Sequence, residues 1–438
     1  MKQWSIAVAA VTLVGALAAA TETKSFEKKL SNDEKIQHAL SRLTFGARPG
    51  DAGAVQRVGL EKWIDAQLHP ESVPESGVAS ERLGRLTTLS LTSREAVQKF
   101  QVGQAKQKNG PQVLIRELTE AKLTRAIYSE RQLEELLVDF WFNHFNVSVT
   151  KGAVRFLVTS YERDAIRPHV WGKFRDLLGA TAAHPAMLFY LDNWQNSSPD
   201  ARRLLKVKQA AGINENYARE LMELHTLGVD NGYTQEDIGE VARCFTGWTI
   251  LQPRLGGEFL FNPRTHDQKE KTVLGVKIPA NGGQRDGEQV LDILARRPET
   301  AHFISLKLAQ RFVADEPPAA LVDRMAKKFR ETDGDIRAVV QAMIASPEFF
   351  SEGARNAKVK SPLEFVVSAV RNTGIDAPVL RLGQKLVELG QPLYRKVEPT
   401  GYSTMAEEWI NSSGLLARMN FAAELKHPQA GSPEFQRR

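Results

Sequence analysis

Apolar side chains from Asp33 onward recur mainly at three- and four-residue steps, and strict alternation is rare, so the chain reads as mostly α-helix. Ser31 or Asn32 is placed to cap a first helix that Gly46 and Pro49 stop, and a second helix carrying Trp63 ends at His69-Pro70. Residues 71–110 are Ser-, Lys- and Gln-rich at both ends and are punctuated by Asn109-Gly110-Pro111, which predicts a mobile insertion before a long helix. A further helix is expected from near Asn214. After the turn at Asp230-Asn231-Gly232, the run Thr234-Gln235-Glu236-Asp237 has the form of a capping arrangement for the next one. The strand-like segments are Glu258–Asn262 and Thr272–Lys277, expected to pair as a small hairpin at about 258–277 across a polar connection that carries His266 and Asp267. Helices resume near Asp286 and are broken at Pro317-Pro318 and Ser346-Pro347. No period of 20 to 50 residues repeats, which argues against a solenoid. The expectation is a mainly α, large multi-helix single domain over 21–438 with that small β-hairpin.

The first residues follow a different pattern. One cation at Lys2, an almost unbroken apolar stretch from Ile6 to Leu17, and Ala18-Ala19-Ala20 before a polar run read as a secretory signal segment over 1–20. The stretch is shorter than the roughly 20 residues a spanning helix needs, and no later segment reaches that length. A periplasmic or secreted location is therefore expected, with the mature chain starting near Thr21.

Composition narrows the chemistry. With 42% apolar and 25% charged residues the chain is of ordinary globular type, and its single cysteine, Cys244, excludes an internal disulfide, a Cys-based zinc cage and an iron–sulfur cluster. Net charge is +6, and removing residues 1–20 takes away only Lys2. The basic residues alternate with acids along the chain and lack interleaved aromatics, so no nucleic-acid footprint is read, although a modest attraction to anionic envelope polymers remains open. H-E-x-x-H, G-x-S-x-G, G-x-x-x-x-G-K and G-x-G-x-x-G are all missing.

Two clusters stand out instead. In Glu134–Phe145, the residues Leu133, Leu137, Trp141 and His144 share one helical stripe, which buries the imidazole; a core histidine bonded to a backbone carbonyl accounts for it as simply as a catalytic one does. In Asn214–Gly228, Glu220 and Glu223 stand on one face beside Arg219. Such a pair could hold a hard cation, divide into acid and base, or form a solvated ion-pair ladder. His38, His184 and His302 read as structural, with His184 before Pro185 placed to hold the start of a helix, and Trp248 reads as core.

The strings His38–Gly46, Phe140-Trp141-Phe142-Asn143-His144-Phe145, His184-Pro185-Ala186-Met187, Asn214–Gly228, Tyr233-Thr234-Gln235 and Phe245-Thr246-Gly247-Trp248 together resemble the bacterial family catalogued as domain of unknown function 1800. The similarity extends through His266-Asp267 and Lys271 to Gly390-Gln391-Pro392, Gly401, Trp409, Asn411 and Arg418; His225 departs from it, since Phe is the expected residue there. The resemblance implies an exported helix-rich protein without an assigned reaction. It also implies a sulfatase-like partner of the unknown-function family 1501. Set beside the spacing, it favours a site from His144, Glu220, Glu223, His266 and Asp267, with His144, Glu220 and Glu223 as catalytic groups and Glu220, Glu223, His266 and Asp267 as ligands of a divalent metal. Two functions stay open: an envelope enzyme, metal-assisted or acid/base and hydrolytic, acting on a polymer or glycan, and a non-catalytic assembly or binding protein working with the sulfatase-like partner. Convergence of these side chains in one concave pocket favours the first, and dispersal the second.

Overall fold

The computed structural model describes residues 25–100, 110–204, 212–252, 256–376, 378–425 and 428–438. The expected signal segment, residues 1–20, lies outside them. The protein is mainly α, with two small antiparallel sheets. Among the described residues no helix is long and apolar enough to cross a membrane.

Local signals set most boundaries. The Asn32–Leu43 helix opens on a reciprocal cap, in which Glu34 N–H donates to Ser31 Oγ and Ser31 N–H donates to Glu34 Oε2. Thr234 and Asp237 form the same device at the Gln235–Cys244 helix. The Leu60–Leu68 helix stops at His69, and the Pro185–Tyr190 helix starts from His184, whose Nδ1 accepts the Ala186 N–H at 3.1 Å. Trp248 is core, as expected, whereas His302 is exposed on the Pro298–Phe312 helix.

The centre of the molecule is the Gln132–His144 helix. Its Leu133, Leu136, Leu137 and Trp141 are fully buried, and Trp141 packs against Phe145 and Phe174. Around it one contiguous apolar cluster runs from Ala39 to Ala430, drawing in the helices Pro298–Phe312, Ala319–Glu331, Ile336–Ile344 and Pro362–Thr373. Burial of such a stripe is the main source of helix stability, because isolated helices of 10 to 15 residues are marginal in water.

Two expectations differ from what the fold shows. Residues 71–110, read as an insertion, carry the helices Gly77–Gly84 and Ser93–Phe100, and Ala96, Val97 and Phe100 pack with Leu114 and Phe156 in a second apolar cluster; residues 101–109 lie outside the described part. The polar flanks hid this short apolar face. The expected pairing of 258–262 with 272–277 is also replaced: β1 (Trp248–Ile250) pairs with β2 (Phe259–Phe261), and β3 (Lys271–Val273) with β4 (Val276–Ile278). Leu274 and Gly275 both have positive φ, 50° and 79°, which is the two-residue turn that closes β3 directly onto β4. Leucine is an unusual residue there, so the turn carried no sequence signal.

Candidate functional site

The C-terminal end of the Gln132–His144 helix opens onto a cleft of about 490 Å³ whose walls include Phe140, His144, Leu224, Phe303, Lys307 and Tyr402. Its far wall is the segment 396–408, from nearly the other end of the chain, and two asparagines hold that segment in place. Asn143 Nδ2 donates to Tyr402 O and its Oδ1 accepts Tyr402 N–H, both at 2.7 Å; Asn146 Nδ2 donates to Lys396 O at 3.1 Å and Glu398 O at 2.9 Å. Gly401 makes the approach possible: at φ 70°, a Cβ on it would lie 2.2 Å from Asn143 O. Only glycine tolerates both the angle and the contact. Tyr394, also with positive φ (63°), is fixed by donating its hydroxyl to buried Glu162 Oε2 at 2.6 Å. Strained backbone of this kind persists where surrounding structure over-determines it, often at binding sites.

His144 is part of the wall. Its Nε2 donates to His225 O at 3.1 Å, which leaves the lone pair on Nδ1, and burial pushes its pKa down to about 3, so the ring is neutral near pH 7. The carbonyl it uses belongs to the π-helical segment Leu221–Thr226, where Leu227 N–H donates five residues back to Met222 O. Such bulges recur at functional sites. Lys307 lines the same cleft, half-buried, 5.7 Å from the Phe303 ring centroid and without an ion pair to any described residue; burial lowers its pKa. Beyond Phe140 and Asn143 a smaller recess holds charges that are paired within the protein: Lys122 with Asp139 at 2.8 Å, Arg311 with Glu364, and Lys358 with Asp315. The wider cleft therefore presents an ammonium without an ion pair, a neutral imidazole, aromatic side chains and, on the 396–408 wall, the Glu408 carboxylate.

The five residues singled out from sequence do not converge. Glu220 is half-buried on the turn before Leu224, and burial, together with neighbouring Glu223, raises its pKa. It also raises the pKa of Tyr190, whose hydroxyl donates to Val397 O at 2.6 Å, and it is not among the residues that line the cleft. Glu223 lies 3.6 Å from Arg219, which also reaches Glu215 at 3.3 Å, an ion-pair ladder of the kind weighed from spacing. His266 and Asp267 are engaged elsewhere. His266 Nδ1 donates to Thr246 O at 2.8 Å and Nε2 lies 3.1 Å from Asp286 Oδ2; Lys271 Nζ reaches the same oxygen at 2.6 Å; Asp267 takes Arg243 at 3.0 and 3.2 Å. Among the described residues no three His, Cys, Asp or Glu side chains stand together to hold a metal, so the four proposed ligands do not form one shell.

Sequence reading missed Lys307 and the 396–408 wall. The helix did carry a signal: Phe303, Lys307 and Gln310, at i, i+4 and i+7, share a stripe beside the apolar one of Ile304, Leu308 and Phe312, and all three line the cleft. The opposing wall lies roughly 250 residues from Asn143 and Asn146 along the chain, and no local pattern announces it.

No curated protein and no solved structure shows significant similarity to the chain. The model of one family does match, over residues 38–436, so nearly the whole chain is covered: the protein belongs to the family described as protein of unknown function (DUF1800).

Proposed function

We propose that this is an exported bacterial binding protein whose cleft takes an acidic or sulfated segment of an envelope glycan, working beside a sulfatase-like partner. The observation that carries the reading is Lys307, a half-buried ammonium that lines an open cleft and forms no ion pair with any described residue, the Glu408 carboxylate of the same cleft included. A desolvated, unmatched charge is costly, and a bound anion offsets that cost. Phe140, Phe303 and Tyr402 offer flat faces to sugar rings, and neutral His144 supplies an acceptor on Nδ1. Dispersal of Glu220, Glu223, His266 and Asp267 supports binding over catalysis.

The hydrolytic reading keeps one specific support, the raised pKa of Glu220, which suits a general acid. The deciding experiment incubates the purified mature chain with sulfated, uronic and neutral glycans and follows both binding and product release. Saturable, salt-sensitive binding of the acidic glycans without chain cleavage supports the proposal. Equal affinity for neutral glycans, or turnover abolished by Glu220→Gln, overturns it.

A further inference from the structure

A second recess, separate from the cleft, is built where the last residues return to the core. Val359 and Arg437 form an antiparallel bridge, with Lys360 N–H donating to Gln436 O and Arg438 N–H to Lys358 O, both at 2.9 Å. The pairing sets the side chains of Lys358, Lys360 and Arg438 close together. Lys358 is matched by Asp315, and Arg438 by Glu364 at 2.6 Å, but Glu364 is already shared with Arg311.

Lys360 is left over. Its side chain is buried, its ammonium lies 3.8 Å from the Phe435 ring centroid, and it forms no ion pair with any described residue. Arg418, close by, spends its guanidinium on Lys360 O and Gln436 Oε1, both neutral acceptors. Arg438 Nε is buried without a hydrogen-bond partner. Lys360 and Arg438 line a recess of about 120 Å³ whose lining also includes Gln37 and Ser41 of the Asn32–Leu43 helix. Since a water needs only about 10–15 Å³ of such space, the recess has room for a group of several heavy atoms.

We propose that this recess binds one small oxyanion group, of the sulfate, phosphate or carboxylate class, held by the Lys360 ammonium with Arg438 beside it. Glu364, which also lines the recess, is the one carboxylate there; it is ion-paired with Arg311 and Arg438 and reaches Lys360 only at longer range, so the cations outnumber it and an anion in the recess completes the charge balance. Burial pushes Lys360 down to about 7, with Glu364 opposing the shift and Arg418 adding to it, so one shared carboxylate does not offset the desolvation of this ammonium. The site does not depend on the Lys307 cleft: the two share no lining residue.

The test titrates the full mature chain with sodium sulfate, phosphate and acetate at constant ionic strength, against chloride, by calorimetry and thermal unfolding. Saturable binding of at least one of them is expected, with a component weakened at least tenfold in Lys360→Met and unchanged in Lys62→Met, an exposed lysine outside both recesses. Gln37→Glu, a shape-preserving exposed change that brings a carboxylate to the recess, should raise the unfolding temperature in anion-free buffer and remove the response to added anion. Absence of saturable binding in the wild type, or the same affinity in Lys360→Met or in Gln37→Glu, overturns the proposal.

Discussion

Around His266 the charges are matched inside the protein, whereas in the cleft beside His144 one is not. At the first place His266 and Lys271 converge on Asp286, all three sealed from solvent, and half-buried Arg243 closes on buried Asp267 at the edge. At the second, a buried imidazole satisfied by one carbonyl shares a space large enough for a ligand with an ammonium that forms no ion pair with any described residue. The residue types are alike. What separates a structural knot from a binding surface is whether donors and acceptors balance without an outside partner.

Acid should affect the imidazole side of this comparison most. His38, His144 and His225 are buried and His184 is half-buried, and loss of solvation lowers each pKa to about 3 from an ordinary 6.5. The unfolded chain then binds more protons between those values, so stability is complete above about pH 6.5 and falls as pH drops, by about 1.4 kcal/mol per pH unit for each histidine. Denaturant midpoints measured from pH 7 to 5 should fall steeply, and a flat profile would contradict neutral burial of these rings.

The sealed cluster is expected to respond next. Asp286→Ala strands Lys271 and His266 in the interior and should cost about 3 to 5 kcal/mol in denaturant unfolding. A loss below 1 kcal/mol would mean that Asp286 does not anchor the cluster. For the cleft wall, Asn143→Ala removes both bonds to Tyr402 and should cost about 1 to 3 kcal/mol, with weaker glycan binding as the wall loosens. Unchanged stability and binding would show that the clamp holds nothing.

Glu220→Gln should have the smallest effect. The folded pKa is raised, so the ionised carboxylate opposes folding above the ordinary Glu range, and the amide should be neutral or stabilising by less than about 1 kcal/mol at pH 7 because solvent screens a half-exposed group. That advantage should vanish as pH falls below the ordinary Glu range. A clear destabilisation at pH 7 would show instead that the carboxylate is held by a partner.

The parts of this molecule written in neighbouring residues were legible. Ser31 with Glu34, Thr234 with Asp237 and His184 before Pro185 are local devices, and each appears where its spacing placed it. His144 was correctly placed on a buried stripe, and its backbone acceptor is the plain alternative that spacing also allowed. The site was only half legible. Asn143 stands in the Phe140–Phe145 string without a role assigned from spacing, and its amide is spent on Tyr402, a contact between distant segments that no periodicity encodes. Glu220 and Glu223 were assigned one face from a regular helix, but from Leu221 the chain runs as a π-segment, which turns later residues away from α register.

The account turns on Lys307. Lys307→Met keeps the stem against Phe303 and removes only the charge, so unfolding should change by less than about 1 kcal/mol, or become slightly harder, since a poorly solvated ammonium is lost. Calorimetric titration of wild type and Lys307→Met with a sulfated oligosaccharide, at two salt concentrations, tests the claim directly. We predict saturable, salt-sensitive binding by the wild type and at least a tenfold loss in the variant; equal affinity in the two proteins would contradict the cleft as an anion site.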